Sequence, residues 1–430
     1  MFTNNRIKRG EKTVIGKKKL FLPYKILLVI YLFFIVTAFI INSPHEIFNG
    51  LKKILLTPDI LITDYVEIGG IGATLVNAAL TSIISIFILV LVGIKPNGST
   101  IMALWLMTGF SFFGKNILNI WPVMFGVYLF ARYQKQPLLN YTLVMLLSTT
   151  LAPTVSQLSF TSDNPLLGLF FGSIIGVFIG FVLTPIATHC ISSHAGYNLY
   201  NIGFACGLLA TLLMSLFRSI GIDFKTQLIW STGNNEFFLV FMIIICLYLI
   251  GIGLYYGRNT KNNLKRISKQ SGKLVSDFYL LFGETTYINM GIVGLFATFY
   301  LLLIGGDLNG PTLGGIFTII GFGCFGKHIR NIIPVMIGAT LGGLISIYSL
   351  SDPGILLAIL FSTCLAPIGG KFGWKIGVIS GILHVALVTN VGYLHGGLNL
   401  YNNGLAGGFA AMILIPIITT FKREVRKDEI

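Results

Sequence analysis

The sequence predicts an all-α integral membrane protein: about 14 transmembrane or half-membrane helices in two six-segment repeats of inverted topology. Three observations predict it. The chain is far more apolar than a water-soluble domain, its motifs occur twice in the same order, and its basic residues fall on one side of the predicted layout.

Apolar residues make up 54% of the chain and charged residues 10%. A soluble globular domain carries about 25% charged residues. Apolar runs of roughly 20 residues recur from end to end, each long enough to cross a ~30 Å hydrocarbon core as a helix. The 50 glycines suit membrane helices that pack closely or break. A β-barrel would read as short alternating segments instead.

The duplication organises the chain. Residues 97–126 read NGSTIMALWLMTGFSFFGKNILNIWPVMFG, and residues 309–338 read NGPTLGGIFTIIGFGCFGKHIRNIIPVMIG. At a constant offset of 212 they share Asn97/Asn309, Gly98/Gly310, Thr100/Thr312, Gly109/Gly321, Phe110/Phe322, Gly114/Gly326, Lys115/Lys327, Asn119/Asn331 and Pro122/Pro334. Further on, STTLAP at 148–153 matches STCLAP at 362–367, and HAGYNLYNIGFACG at 194–207 matches HGGLNLYNNGLAGG at 395–408. Three ordered matches define an internal repeat.

Each repeat reads as six apolar segments. The first set lies near 66–94, 99–113, 117–132, 138–153, 166–189 and 199–219. The second lies near 284–304, 311–325, 330–350, 354–368, 372–393 and 399–421. The chain thus divides into a basic tail (1–19), a first helix (20–42), repeat 1 (65–220), a linker helix (236–256), a basic loop (257–283), repeat 2 (284–421) and a second basic tail (422–430). The 20–42 run is too long for a signal-peptide core and lacks a small-residue cleavage site, so it reads as a retained signal anchor.

Charge tests this layout. The net charge of +15 concentrates in the tails and in 258–273, which carries six basic residues and no acid. In a chain this apolar such runs set orientation rather than bind nucleic acid. With the N-terminus inside and every segment crossing, the 258–273 loop and the C-terminus fall inside, while Asp163, Asp223, Asp307 and Asp352 fall outside. Six repeat crossings plus one linker helix make an odd number, so the second repeat enters the membrane upside down. The expected location is a bacterial inner membrane, multi-pass, with both termini cytoplasmic. Inverted repeats recur in transporters, with the solute path between them.

The duplicated motifs supply the candidate path residues. The second and fourth segments are short, about 15 residues or ~22 Å as helix, and short Gly/Pro-interrupted segments at matching places point to a binding site. Asn97, Thr100, Asn309 and Thr312 open the second segments, as helix caps or as a polar site at a helix N-terminus. Lys115 and Lys327 close them, as snorkelling interface anchors or as charges that meet an anionic solute. Ser148, Thr149, Ser362 and Thr363 stand where the fourth segment stops at a proline, satisfying freed carbonyls or offering hydroxyls to a solute. Asn198, Asn201, Asn399 and Asn402 open the last segment, as caps, interhelical glue or neutral ligands. His194 and His395 precede them without matched carboxylates or thiols, a poor metal pattern. The five cysteines form no CxxC and read as packing residues.

No Asp or Glu is matched between the halves, and none lies within the interior of a repeat segment. Intramembrane carboxylates serve as proton relays and cation ligands. Their absence argues for a neutral or anionic solute and for passive or weakly coupled movement.

Through its NGxT, FGK, NIxPVM, LAP and NLYN motifs the chain resembles, over nearly its whole length, a family of bacterial membrane proteins that is a domain of unknown function. That resemblance implies no activity. A local likeness is to bacterial urea transporters, which also have two inverted halves, through HAGYN at 194–198 and GGLN at 396–399. The order differs: Pro153 and Pro367 precede the motif here.

The expected function is a channel or facilitator-like transporter for a small polar neutral or anionic solute, without cofactor or metal. Its partners are the bilayer and the solute; the oligomeric state stays open, a homo-oligomer included. One rival is a membrane enzyme acting on a lipid, which needs a nucleophile–base pair that the duplicated motifs do not contain. Another is a non-transporting structural or sensory subunit.

Overall fold

A computed structural model of the chain describes residues 21–224, 227–274 and 276–427, with side chains through Phe421. The predicted basic tail at 1–19 and the side chains of the tail at 422–430 lie outside the described residues.

The described residues are helical throughout. The first half comprises α1 (Leu22–Ile41), α2 (Pro44–Leu56), α3 (Tyr65–Leu91), α4 (Gly98–Phe110), α5 (Ile120–Tyr133), α6 (Thr142–Ser148), α7 (Ala152–Ser159), α8 (Pro165–Ser193) and α9 (Asn201–Ser219). The second comprises α10 (Asn235–Tyr256), α11 (Thr260–Ile267), α12 (Phe278–Phe282), α13 (Thr286–Leu303), α14 (Gly310–Phe322), α15 (Ile329–Leu344), α16 (Pro353–Phe361), α17 (Ala366–Phe372), α18 (Trp374–Val391) and α19 (Asn402–Lys427). By length and composition, nine helices among the described residues can cross a membrane. The apolar helices α4, α14 and α15 are shorter.

Breaks in the helices recur at matching places. Gly70 interrupts α3 at φ 79°, and Gly283 separates α12 from α13 at φ 58°. A side chain strains such backbone, so glycine marks the point where the chain re-aims.

The fourth segment departs from the expectation that it stops at proline. In both halves the helix tightens into a 3-10 turn, Thr149–Leu151 or Ser362–Leu365, and then resumes as α7 or α17. Pro153 and Pro367 stand in the first turn of the resumed helix, where a missing N–H leaves no bond unmade. Hydroxyls cover the carbonyls freed by the break: Ser148 Oγ donates to Met145 (3.0 Å), Ser362 Oγ to Ile359 (2.7 Å) and Thr363 Oγ1 to Leu360 (2.8 Å). The segment in the second half is therefore 20 residues long, Pro353–Phe372, and qualifies as a span.

Packing follows the duplication. α5 packs on α8 as α15 packs on α18, and α1 packs on α3 as α10 packs on α13. The two helices that the sequence places outside the repeats are thus a seventh matched pair. Outward-facing helices need little beyond apolarity, and that leaves no motif to align.

Two pairs of equivalents pack on each other, α4 with α14 and α9 with α19. Gly109 lies against Gly314, and reciprocally Gly321 lies against Met102 and Trp105. This reciprocal pairing makes α4 and α14 antiparallel about a local two-fold axis. A Cβ on Gly109 would stand 2.9 Å from the Gly314 carbonyl oxygen, so glycine sets the closeness of the crossing.

Candidate functional site

The Asn-Gly-x-Thr residues do not converge. Asn97 Oδ1 accepts from Thr100 N (2.9 Å) while Thr100 Oγ1 accepts from Asn97 N (3.0 Å). Asn309 and Thr312 make the same reciprocal box at 3.2 and 2.9 Å. Each box caps its own helix. Because α4 and α14 run antiparallel, Thr100 and Thr312 stand at opposite ends, roughly 16 Å apart along the helices at 1.5 Å per residue.

Lys115 and Lys327 are not interface anchors, since both are fully buried. Local geometry turns them inward. Gly114 (φ 83°) and Gly326 (φ 112°) end the short helices in the left-handed region. The following lysine N–H then bonds back to the Phe110 carbonyl (3.1 Å) or the Phe322 carbonyl (2.9 Å). A buried asparagine fixes each turn from the side. Asn77 Nδ2 donates to the Ser111 and Lys115 carbonyls at 2.8 and 2.9 Å. Asn289 Nδ2 donates to the Gly323 and Lys327 carbonyls at 2.7 and 2.8 Å.

The two amino groups meet unequal surroundings. Lys327 Nζ donates to Tyr200 Oη (2.5 Å) and Thr363 Oγ1 (2.7 Å) and lies over the Tyr200 and Phe322 rings. Lys115 Nζ reaches Met107 Sδ at 3.6 Å and lies over the Phe110 ring. Tyr401, the equivalent of Tyr200, keeps its hydroxyl buried and unpartnered. No carboxylate pairs with either lysine: the one ion pair among the described residues is Arg218–Asp223. An unpaired ammonium costs several kcal/mol to bury, which hydroxyls and ring faces offset in part.

Between the lysines lies an aromatic cluster. Tyr200 and Tyr401 stack at 4.4 Å between centroids, with Phe110 5.0 Å from Tyr401 and Phe322 5.1 Å from Tyr200. The Asn-Leu-Tyr-Asn motif places these rings. Asn198 Oδ1 accepts from Tyr200 N, and Asn399 Oδ1 from Tyr401 N, both at 3.0 Å. Asn201 and Asn402 hold His194 and His395 at 3.0 and 2.8 Å. The loops then cross to the other half, where Leu199 N donates to the Cys364 carbonyl and Leu400 N to the Thr150 carbonyl. Ser148 and Thr149, with Ser362 and Thr363, are buried on these same broken turns.

Matched carboxylates exist, contrary to the expectation, at an offset of 213 rather than 212. Asp64 caps α3 and accepts from Gly310 N, at the start of α14 (3.2 Å). Asp277 caps α12 and accepts from Gly98 N, at the start of α4 (2.9 Å). Each half thus supplies the acid that neutralises the positive N-terminal end of the other half's short helix. Burial raises both carboxyls above their usual range, against the N–H groups that donate to them. A third acid has no matched carboxylate. Asp59 is buried, accepts from Tyr65 Oη, Asn116 Nδ2 and Asn119 Nδ2, and is pushed up to about 7 by burial.

A further grouping joins Cys364 and Asn403, both inside the duplicated motifs, to His384, which lies outside them. Cys364 Sγ stands 4.0 Å from His384 Nδ1, and His384 Nε2 stands 2.9 Å from Asn403 Oδ1.

Cavities open from both ends. One of about 450 Å³ touches Asn97, Ser99 and Thr100 at the start of α4. One of about 680 Å³ touches Asn402, Asn403, Gln227 and Asp352 at the other end. Neither lining includes a buried lysine. Equivalent loops close over the centre, with Leu61 N bonded to the Gly397 carbonyl and Leu274 N to the Gly196 carbonyl, both at 3.0 Å.

Many long apolar helices around a buried polar centre, built twice, make this a multi-pass helical membrane protein. The chain belongs to the DUF1576 family of proteins of unknown function, which it matches over residues 43–219 and 257–420, one stretch in each half. No curated protein and no solved structure matches it.

Proposed function

We propose that the protein is a facilitator-like transporter or channel for a small anionic solute, with a small polar neutral solute as the narrower alternative. One observation carries this reading. Two equivalent lysines are buried at the centre of a membrane protein, facing hydroxyls and ring faces, with no carboxylate to neutralise either. Ionisable groups inside membrane proteins mark solute and ion pathways. An anion between the lysines would supply the missing charge, and the Tyr401 hydroxyl offers it a donor.

The antiparallel α4 and α14 support inverted topology. Helices related by an axis along the membrane normal run parallel, whereas an axis in the membrane plane reverses them. Fourteen segments, seven in each half, then cross or half-cross a bacterial inner membrane. The basic 258–273 loop and both termini are cytoplasmic, and the Asn97 cavity opens on that side. With both loops closed the solute is occluded, and it reaches each lysine in turn as one loop or the other lifts.

Flux into proteoliposomes tests the reading. Chloride, nitrate, formate and acetate should enter faster than urea or glycerol. Entry of the neutral pair alone selects the neutral alternative, and no flux of any probe counts against transport.

The Cys364–His384–Asn403 alignment favours a second reading, a membrane enzyme with nucleophile, base and orienting amide. Transport is preferred because the thiol and imidazole are buried and only Asn403 reaches a cavity. Cys364→Ser should abolish thiol-based turnover of a lipid ester in an enzyme and leave flux intact in a transporter.

A further inference from the structure

We propose that the groove between α15 and α18 binds an anionic glycerophospholipid. The groove encloses about 800 Å³. Its polar end is formed by Lys269, His328 and Arg330, and its lining contains no acidic residue. Its other end is apolar, running along Ile333, Ile337 and Val378, with Ile337 exposed on the outer surface of the helix. Such a groove matches a charged headgroup joined to an acyl chain, and basic pockets between membrane helices bind anionic headgroups.

Backbone adds to the charge. Both α15 and α18 start at this end, after His328 and Gly373, and the start of α18 has no side-chain cap. Free N–H groups at helix starts favour an anion. Trp374 is 67% exposed at the rim, where an indole suits the headgroup layer of a bilayer.

His328 closes the inner wall of this polar end. The residue is 3% exposed, its Nε2 lies 2.8 Å from the Gln270 carbonyl, and its backbone N–H donates to Asn331 Oδ1 (2.9 Å). The headgroup phosphate meets the exposed Lys269 and Arg330.

The other half lacks this site. The positions equivalent to His328 and Arg330 are Asn116 and Leu118, and Asn116 faces the Asp59 carboxylate. The basic groove is therefore not a by-product of duplication.

The test is native mass spectrometry of the detergent-purified full chain with added lipid. Phosphatidylglycerol should be retained over phosphatidylcholine by roughly thirtyfold, the effect of two interfacial charges at about 1 kcal/mol each. Lys269→Gln with Arg330→Gln, both exposed side chains, should erase the preference, and Val378→Trp should block the groove with the charges in place. Millimolar inorganic phosphate should not displace the lipid. Equal retention of phosphatidylglycerol and phosphatidylcholine, a preference that survives either variant, or full displacement by phosphate would overturn the proposal. None of these readouts depends on flux, so they stand or fall apart from the transport reading.

Discussion

Tyr200 and Tyr401, equivalent residues of the two halves, stack on each other with ring centroids 4.4 Å apart. Only residues near a two-fold axis meet their own equivalents, so this pair marks where the halves share one site. Their hydroxyls nevertheless differ. Tyr200 Oη accepts from Lys327 Nζ, whereas Tyr401 Oη has no partner.

That difference is measurable. Tyr200→Phe should lower thermal stability by about 2 kcal/mol, the worth of a hydrogen bond to a charged group. Tyr401→Phe removes a hydroxyl that bonds nothing and should change stability by less than about 0.5 kcal/mol. Thermal unfolding of the two variants side by side checks this. Equal losses would contradict the asymmetric lysine environments.

Asp59 sets a pH dependence. Its carboxyl is pushed up to about 7 in the folded protein by burial, above its ordinary value of 3.8. Between these values the folded state holds a proton that the unfolded state has lost. Stability should therefore fall as pH rises from about 4 to about 7 and level off above. Asp59→Asn should flatten that dependence and stabilise the protein at pH 8. The amide keeps the geometry: its oxygen accepts from Asn116 and Asn119, and its NH2 donates to Tyr65 Oη. Unfolding midpoints across this range decide the matter, and an unchanged slope in the variant would refute it.

Asp64 and Asp277 tie each half to the other half's short helix. Asp64→Ala and Asp277→Ala should each cost about 1–2 kcal/mol, the loss of a cap with its charge. The double variant should lose about the sum, because the two contacts lie at opposite ends of the crossed pair. Thermal unfolding of the singles and the double gives the coupling. Neutral single substitutions would show that these contacts do not hold the halves together.

Orientation is tested by reporter fusions. Fusions at Gly257 and at the C-terminus should both read cytoplasmic, since the six segments of the second repeat, an even number, separate them. Opposite readings would break the count of six.

The architecture was legible where local chemistry repeats. A constant offset picked out Lys115 with Lys327, and the same offset relates Asn77 to Asn289, amides inside apolar helices that pattern reading passed over. Direction was not legible. Whether a lysine after Phe-Gly snorkels outward or folds inward depends on the glycine turn and on a side chain from another helix. Asn97 with Thr100, and Asn309 with Thr312, are polar and duplicated for a local reason, helix capping, so duplication alone overstated their part in a path. Asp64 and Asp277 escaped because their offset is 213, as for Gly70 and Gly283, and changes to 212 only by Asn77 and Asn289, within the broken helix. Tyr200 meets Lys327 across 127 residues, and no spacing in the chain announces such a contact.

The most direct test of the account is flux through proteoliposomes holding Lys115→Met and Lys327→Met, singly and together. Methionine matches the lysine stem, and replacing a buried charge by an apolar group of similar size leaves stability unchanged or raised. The account predicts normally inserted, stable variants whose anion flux falls about tenfold or more in each single and to background in the double. Wild-type anion flux in the stable double variant would contradict it.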